Sequence, residues 1–156
     1  MKHEEWMHEA VALSIKGVTS GEGGPFGAIV VKDGKIVGRG NNKVTTTNDP
    51  TAHAEVVAIR DACKNLGTFQ LTGCIVYTSC EPCPMCLGAI YWARPDRVYF
   101  ACDKHDAAAS GFDDQFIYDE IELDHPERRI PFEQVGKEGA LEAFRLWNEK
   151  SDRIDY

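Results

Sequence analysis

His53, Glu55, Cys83 and Cys86 are the residues of this chain whose types and spacing can do chemistry. His53-Ala54-Glu55 opens one apolar-periodic stretch, and Pro82-Cys83-Pro84-Met85-Cys86 opens another. One imidazole and two thiolates make a ligand set for zinc, which in catalytic sites takes three protein ligands and keeps a fourth tetrahedral position for water. Cysteines at i and i+3 fall on one face of a helix's first turn, where exposed N–H groups and the positive dipole end favour thiolates. Two thiolates and a neutral imidazole cancel the double charge of the ion, so its water is acidified less than in a three-histidine site. A nearby base then becomes important, and Glu55 is the candidate. Residues two apart on a helix point about 200° apart. For His53 and Glu55 to converge, the metal must sit at the helix end.

Each piece taken alone has a plainer role. C-x-x-C also makes half of a structural zinc site or a thioredoxin-like redox pair. Cys80-x-x-Cys83-x-x-Cys86 begins like a ferredoxin run, but that run continues C-x₃-C-P, and the next cysteine here is Cys102. His53 alone is a helix-start or core histidine, and Glu55 alone a first-turn carboxylate that complements the dipole. Together, H-x-E followed by P-C-x-x-C is the signature of the zinc deaminases. A non-catalytic, zinc-stabilised binding module would use four protein ligands, and only three can be assigned. Cys63, Cys74 and Cys102 fit apolar segments as small core residues.

The elements that must position these groups belong to one ordinary domain. The chain has 156 residues, 43% hydrophobic and 27% charged, with no repeat, low-complexity tract or linker. Its net charge of −8 disfavours a nucleic-acid partner, which needs a basic face to displace counterions. No apolar run approaches the roughly 18 residues of a membrane span, and Met1-Lys2-His3-Glu4-Glu5 is too acidic for a secretory signal. A cytoplasmic protein with reduced thiols is expected.

His3 to Val18 carries Trp6, Met7, Ala10, Leu13 and Ile15 at helical spacings, and the glycine-rich segment from Gly21 ends that helix. Ala28–Val31 and Ile36–Val37 flank Asp33-Gly34, a hairpin signal. After a polar loop, Asn41 to Asp49, a second helix runs from Ala52 to Leu66 and Gly67 closes it. Cys74–Thr78 reads as a strand, Pro82–Ala93 as a helix and Arg97–Ala101 as a strand, an order that implies a parallel pair with a right-handed crossover. Lys104–Ser110 reads as a short helix, Ile130–Val135 as a strand and Glu138–Lys150 as a last helix. The fold class expected is α/β, a three-layer α/β/α sandwich around a mixed, mainly parallel sheet.

Gly24-Pro25-Phe26-Gly27-Ala28, Asn41-Asn42, Thr51 to Val56, Thr78 to Cys86, Leu87 to Arg94 and Gly111-Phe112-Asp113-Asp114 together resemble the bacterial guanine deaminases of the cytidine deaminase-like superfamily. The likeness covers nearly the whole chain. It implies that His53, Cys83 and Cys86 hold one Zn²⁺ per subunit. It implies that Glu55 carries a proton from zinc-bound water to the ring and then to the departing amine, turning guanine into xanthine and ammonia. The same resemblance gives Asp114 a catalytic part and sets Phe26, Asn42, Ala54, Trp92, Asp114 and Tyr156 against a small purine base. It further implies a homodimer in which the C-terminal segment, about 135–156, crosses to the neighbouring subunit and Tyr156 closes that subunit's pocket.

On the residues alone, the pocket positions keep structural alternatives. Asn42 serves equally as a turn former, Phe26 and Trp92 as core aromatics, Asp114 as part of a solvated turn and Tyr156 as a frayed end. Cytosine, guanosine and an aminotriazine are other rings within the same chemistry. A tRNA adenosine deaminase shares the size and metal motif but must grip a polyanion, against the net charge.

Overall fold

Asp33 and Gly34 turn the chain back on itself with φ of 49° and 70°, the pair of positive values that a two-residue hairpin turn demands. The computed structural model describes residues 2–156. The hairpin joins β1 (Gly27–Lys32) to β2 (Lys35–Asn41), with Lys32 paired to Lys35 at its closed end. β1 is central and almost wholly buried, and its other neighbour is β3 (Cys74–Cys80). Next to β3 lies β4 (Arg97–Cys102), giving the order β2-β1-β3-β4. The sheet is mixed, as expected, but it is not mainly parallel: only β3–β4 is, while β1 pairs antiparallel with both neighbours. The reason is that the tight hairpin sets β2 antiparallel to β1, the helical connection after β2 returns β3 in the direction of β2 on the far side of β1, and the helix between β3 and β4 gives the one parallel pair.

Side chains alternate along β1 and β3 and feed two cores. Ile29, Val31 and Tyr77 pack against Ala10 of α1 (Lys2–Thr19) on one face. Ala28, Val30 and Val76 pack against Ala54, Ala58 and Ala62 of α3 (Ala54–Leu66) and Ala93 of α4 (Pro84–Ala93) on the other. Helices on both faces make the three layers. In α1 the buried stripe runs through Ala10, Ser14 and Gly17, so Ile15 lies off it and is exposed, contrary to its expected place on the apolar face.

Both site helices begin later than their sequence signals. The second was expected from Ala52, but residues 50–52 form a turn in which Asp49 Oδ1 accepts from the Thr51 amide at 2.8 Å. The third was expected from Pro82, yet Cys83 is extended (φ −65°, ψ 170°) because Pro84 bars the residue before it from helical backbone. The polar loop contains a short helix, α2 (Val44–Thr47). Cys102 is exposed rather than core, since β4 is the sheet's edge strand.

The backbone divides into two compact units, one ending at Asp114 and the other Gln115–Tyr156. α5 (Lys104–Ala109) completes the first. The second holds α6 (Gln115–Glu122), a 3₁₀ turn (His125–Glu127) and α7 (Lys137–Glu149). The strand expected at Ile130–Val135 is irregular chain instead, as Pro131 removes a ladder donor. Among the described residues no helix is long and apolar enough to cross a membrane.

Candidate active site

His53 stands just outside α3 as its N-cap, with extended backbone (φ −69°, ψ 154°). The 200° separation that would hold His53 and Glu55 apart therefore does not apply, because only Glu55 is on the helix. Cys83 caps α4 in the same way, and Cys86 lies in its first turn. Two helix starts thus converge. His53, Cys83 and Cys86 offer ligand atoms within 4.8 Å of one another. His53 Nδ1 is 3.5 Å from Cys83 Sγ and 3.5 Å from Cys86 Sγ. A tetrahedral ion with bonds of about 2.3 Å to sulfur and about 2.05 Å to nitrogen spans an N···S edge of about 3.6 Å. The residues present fit zinc.

Their ionisations depend strongly on one another. The Cys83 thiol is pulled down to about 4, first by the hydrogen bond from Cys86 and, against burial, by His53. Cys86 is raised by that shared bond and by burial, and His53 is raised by its bond to Cys83. Of the two thiols, Cys83 is thus the one held toward the thiolate, the form in which cysteine ligates a metal.

Glu55 is 6% exposed beside this cluster, with Oε2 accepting from Cys86 Sγ at 3.2 Å and Oε1 accepting from Thr78 Oγ1 at 2.9 Å. Asn42 is also buried; its Oδ1 accepts from the amides of Gly24 (3.3 Å) and Val44 (3.1 Å), which turns its NH₂ end away from those bonds. The Asn42 backbone N–H donates to the Phe26 carbonyl at 3.1 Å, tying those two positions together. Phe26 meets Phe112 edge-on, 5.0 Å between ring centres. Ala54 is fully buried as the first residue of α3. Burial raises the Asp114 carboxyl above the usual value, and the charges of Cys83 and Glu81 add to that. Trp92 is 64% exposed on α4, and Tyr156, in the second unit, is 71% exposed. Thr78 and Phe112 were not singled out by sequence reasoning. Thr78 carries a signal in hindsight, because period two from Val76 aims it at the α3 side of the sheet.

Residues 1–102 match the family model for the cytidine and deoxycytidylate deaminase zinc-binding region. The chain belongs to this deaminase family. Guanine deaminase of Bacillus subtilis (strain 168) is 58% identical to it over 156 residues, all of both chains. The X-ray structure of the Bacillus subtilis guanine deaminase superposes with a TM-score of 0.97, covering 100% of this chain and 99% of that one. The tRNA-specific adenosine deaminase of Aquifex aeolicus (strain VF5) is 42% identical over 120 residues, 76% of each chain. As a zinc-dependent deaminase, this chain has the ligands for one Zn²⁺ per subunit in His53, Cys83 and Cys86.

Proposed function

We propose that the chain hydrolyses guanine to xanthine and ammonia, taking part in purine catabolism. The observation that carries this reading is a buried carboxylate, Glu55, set beside a three-ligand metal cluster in a chain alike along its whole length to a guanine deaminase. A zinc ion held by His53, Cys83 and Cys86 supplies Lewis-acid activation of water. The chain's own groups do the rest. Glu55 takes a proton as the water oxygen adds to C2 of the ring, gives it to the ring, and passes a second proton to the amine as the C–N bond breaks.

Asn42 directs its amide donors at the purine edge, and Phe26 and Trp92 bound the flat faces of the base. Ala54, at the helix start between ligand and base, lines the pocket. Asp114 accepts from a purine N–H or the departing amine. The protein acts as a homodimer in the cytoplasm, with segment 135–156 exchanged and Tyr156 closing the neighbour's pocket. Supporting the exchange, that segment leaves Val135, Leu141, Phe144, Leu146 and Ile154 exposed. Supporting the compartment, all six cysteines are free.

The likeness to a tRNA-specific adenosine deaminase favours a second substrate class, and the acidic charge opposes it. Ammonia release from guanine, adenine, cytosine, guanosine and a tRNA anticodon stem, with zinc analysis of the same sample, separates them. Guanine turnover is the expected result. Deamination of the tRNA with guanine untouched overturns the proposal.

A further inference from the structure

Thr78 sits on β3 opposite Ala28 of β1 and is 1% exposed. Its side chain points, like that of Val76, into the layer that α3 and α4 cover. There its hydroxyl meets two acceptors, Glu55 Oε1 at 2.9 Å and the Cys80 carbonyl at 3.1 Å. The other contact on the carboxylate, Cys86 Sγ to Oε2 at 3.2 Å, comes from the metal-ligand cluster itself. Among the described contacts, Thr78 is the side chain from outside that cluster that holds Glu55. A glutamate reaches its site through three rotatable bonds, so a carboxylate without that tie can turn Oε2 away from the reacting atoms.

Resting on the reading of Glu55 as the proton carrier, we propose that Thr78 is a positioning residue for it. Its hydroxyl pins Oε1 so that Oε2 faces the metal-ligand cluster throughout turnover. The single hydroxyl proton suits both halves of the cycle. While Glu55 is a carboxylate, Thr78 donates to Oε1. While Glu55 carries the proton in transit on Oε2, Oε1 is still an acceptor, and Thr78 goes on donating to it. No bond to Thr78 forms or breaks, and the hydroxyl ends each turnover as it began.

The test compares Thr78→Val, which keeps the shape and removes the hydroxyl, with Thr78→Ser, which keeps the hydroxyl, in the zinc-loaded full chain. Thr78→Val is expected to lower kcat for guanine roughly 10- to 100-fold, the worth of a hydrogen bond to a charged group, with KM changed less than about 3-fold. Thr78→Ser is expected to return kcat to within about 3-fold of the parent, and zinc per chain should stay at one in both. Should Thr78→Val not fold, Thr78→Ala takes its place in the same comparison. Combining Thr78→Val with Glu55→Gln is expected to be no slower than Glu55→Gln alone, because the hydroxyl acts through the carboxylate. Parent-like kcat in Thr78→Val while Glu55→Gln is inactive overturns the role of Thr78 alone. Equal loss in the valine and serine variants, or loss of zinc, shows a packing role and also overturns it. A fully active Glu55→Gln overturns the reading of Glu55 and this inference with it.

Discussion

A methyl group added at Gly40 tests whether the packing of α3 on β2 sets the site. A Cβ there would lie 2.3 Å from the Ala54 carbonyl oxygen and 2.5 Å from the Ala58 amide, where ordinary contact begins at 3.4 Å. Helix and strand must therefore separate by about 1 Å. β2 is held along its length by the ladder to β1, from Gly27–Asn41 to Lys32–Lys35, so the displacement falls on the start of α3. That start carries His53 on one side of Ala54 and Glu55 on the other. A shift of this size at a reacting centre costs on the order of 100-fold in kcat/KM, and disturbing one ligand's support weakens metal binding roughly 10-fold. Overpacking also costs about 1–3 kcal/mol of stability. Gly40→Ala should therefore release ammonia from guanine about 100 times more slowly, lose zinc at lower chelator concentration and unfold at lower urea. Gly88→Ala is the control, because nothing lies within 4 Å of a Cβ there and the helix gains up to about 1 kcal/mol. Parent-like kcat/KM and zinc retention in Gly40→Ala would refute the reasoning.

Glu55→Gln removes the proposed proton carrier and no ligand, so zinc analysis should still find one ion per chain while turnover falls roughly 100- to 10,000-fold. Asp114 has a raised pKa, so its ionised form is depleted from a higher pH than an ordinary carboxylate at 3.8. KM for guanine should accordingly rise early on the acid side, and in Asp114→Asn that limb should vanish while KM at neutral pH rises about 10-fold. Phe26→Ala should weaken guanine binding without releasing zinc; metal loss in either variant would show a structural residue instead. Asp103 caps α5 by accepting from the amides of His105 and Asp106, and its carboxyl is lowered chiefly by the Asp106 bond. A folded value below the unfolded one adds stability that is whole above 3.8 and lost as pH falls through the folded value. Urea midpoints of the parent and Asp103→Ala should differ at neutral pH and converge in acid.

Much of the fold was legible in local chemistry. Asp33-Gly34 specified its hairpin because only residues tolerant of positive φ fit the turn, and Gly67 (φ 65°) stopped α3 for the same reason. α6 was missed because eight residues offer too few periods to stand out. The strand expected at Ile130–Val135 failed because β-branched composition says nothing of whether a neighbour exists to pair with.

The amino-acid sequence by itself determined the donor set. An imidazole, two thiols and a carboxylate in the H-x-E and P-C-x-x-C spacings already constrain the metal, the base and the reaction class, since these follow from atom types and short covalent distances. Only the tertiary structure decided how His53 and Glu55 converge, since that depends on a cap residue leaving the helix, and on two helix starts being carried by different strands to one end of a sheet. It alone brought Thr78 within 2.9 Å of Glu55 across 23 positions of chain, and set α3 against the bare backbone of Gly40. Local spacing encodes neighbours along one element, whereas contacts between elements follow from sheet register and close packing, which no short stretch of residues contains.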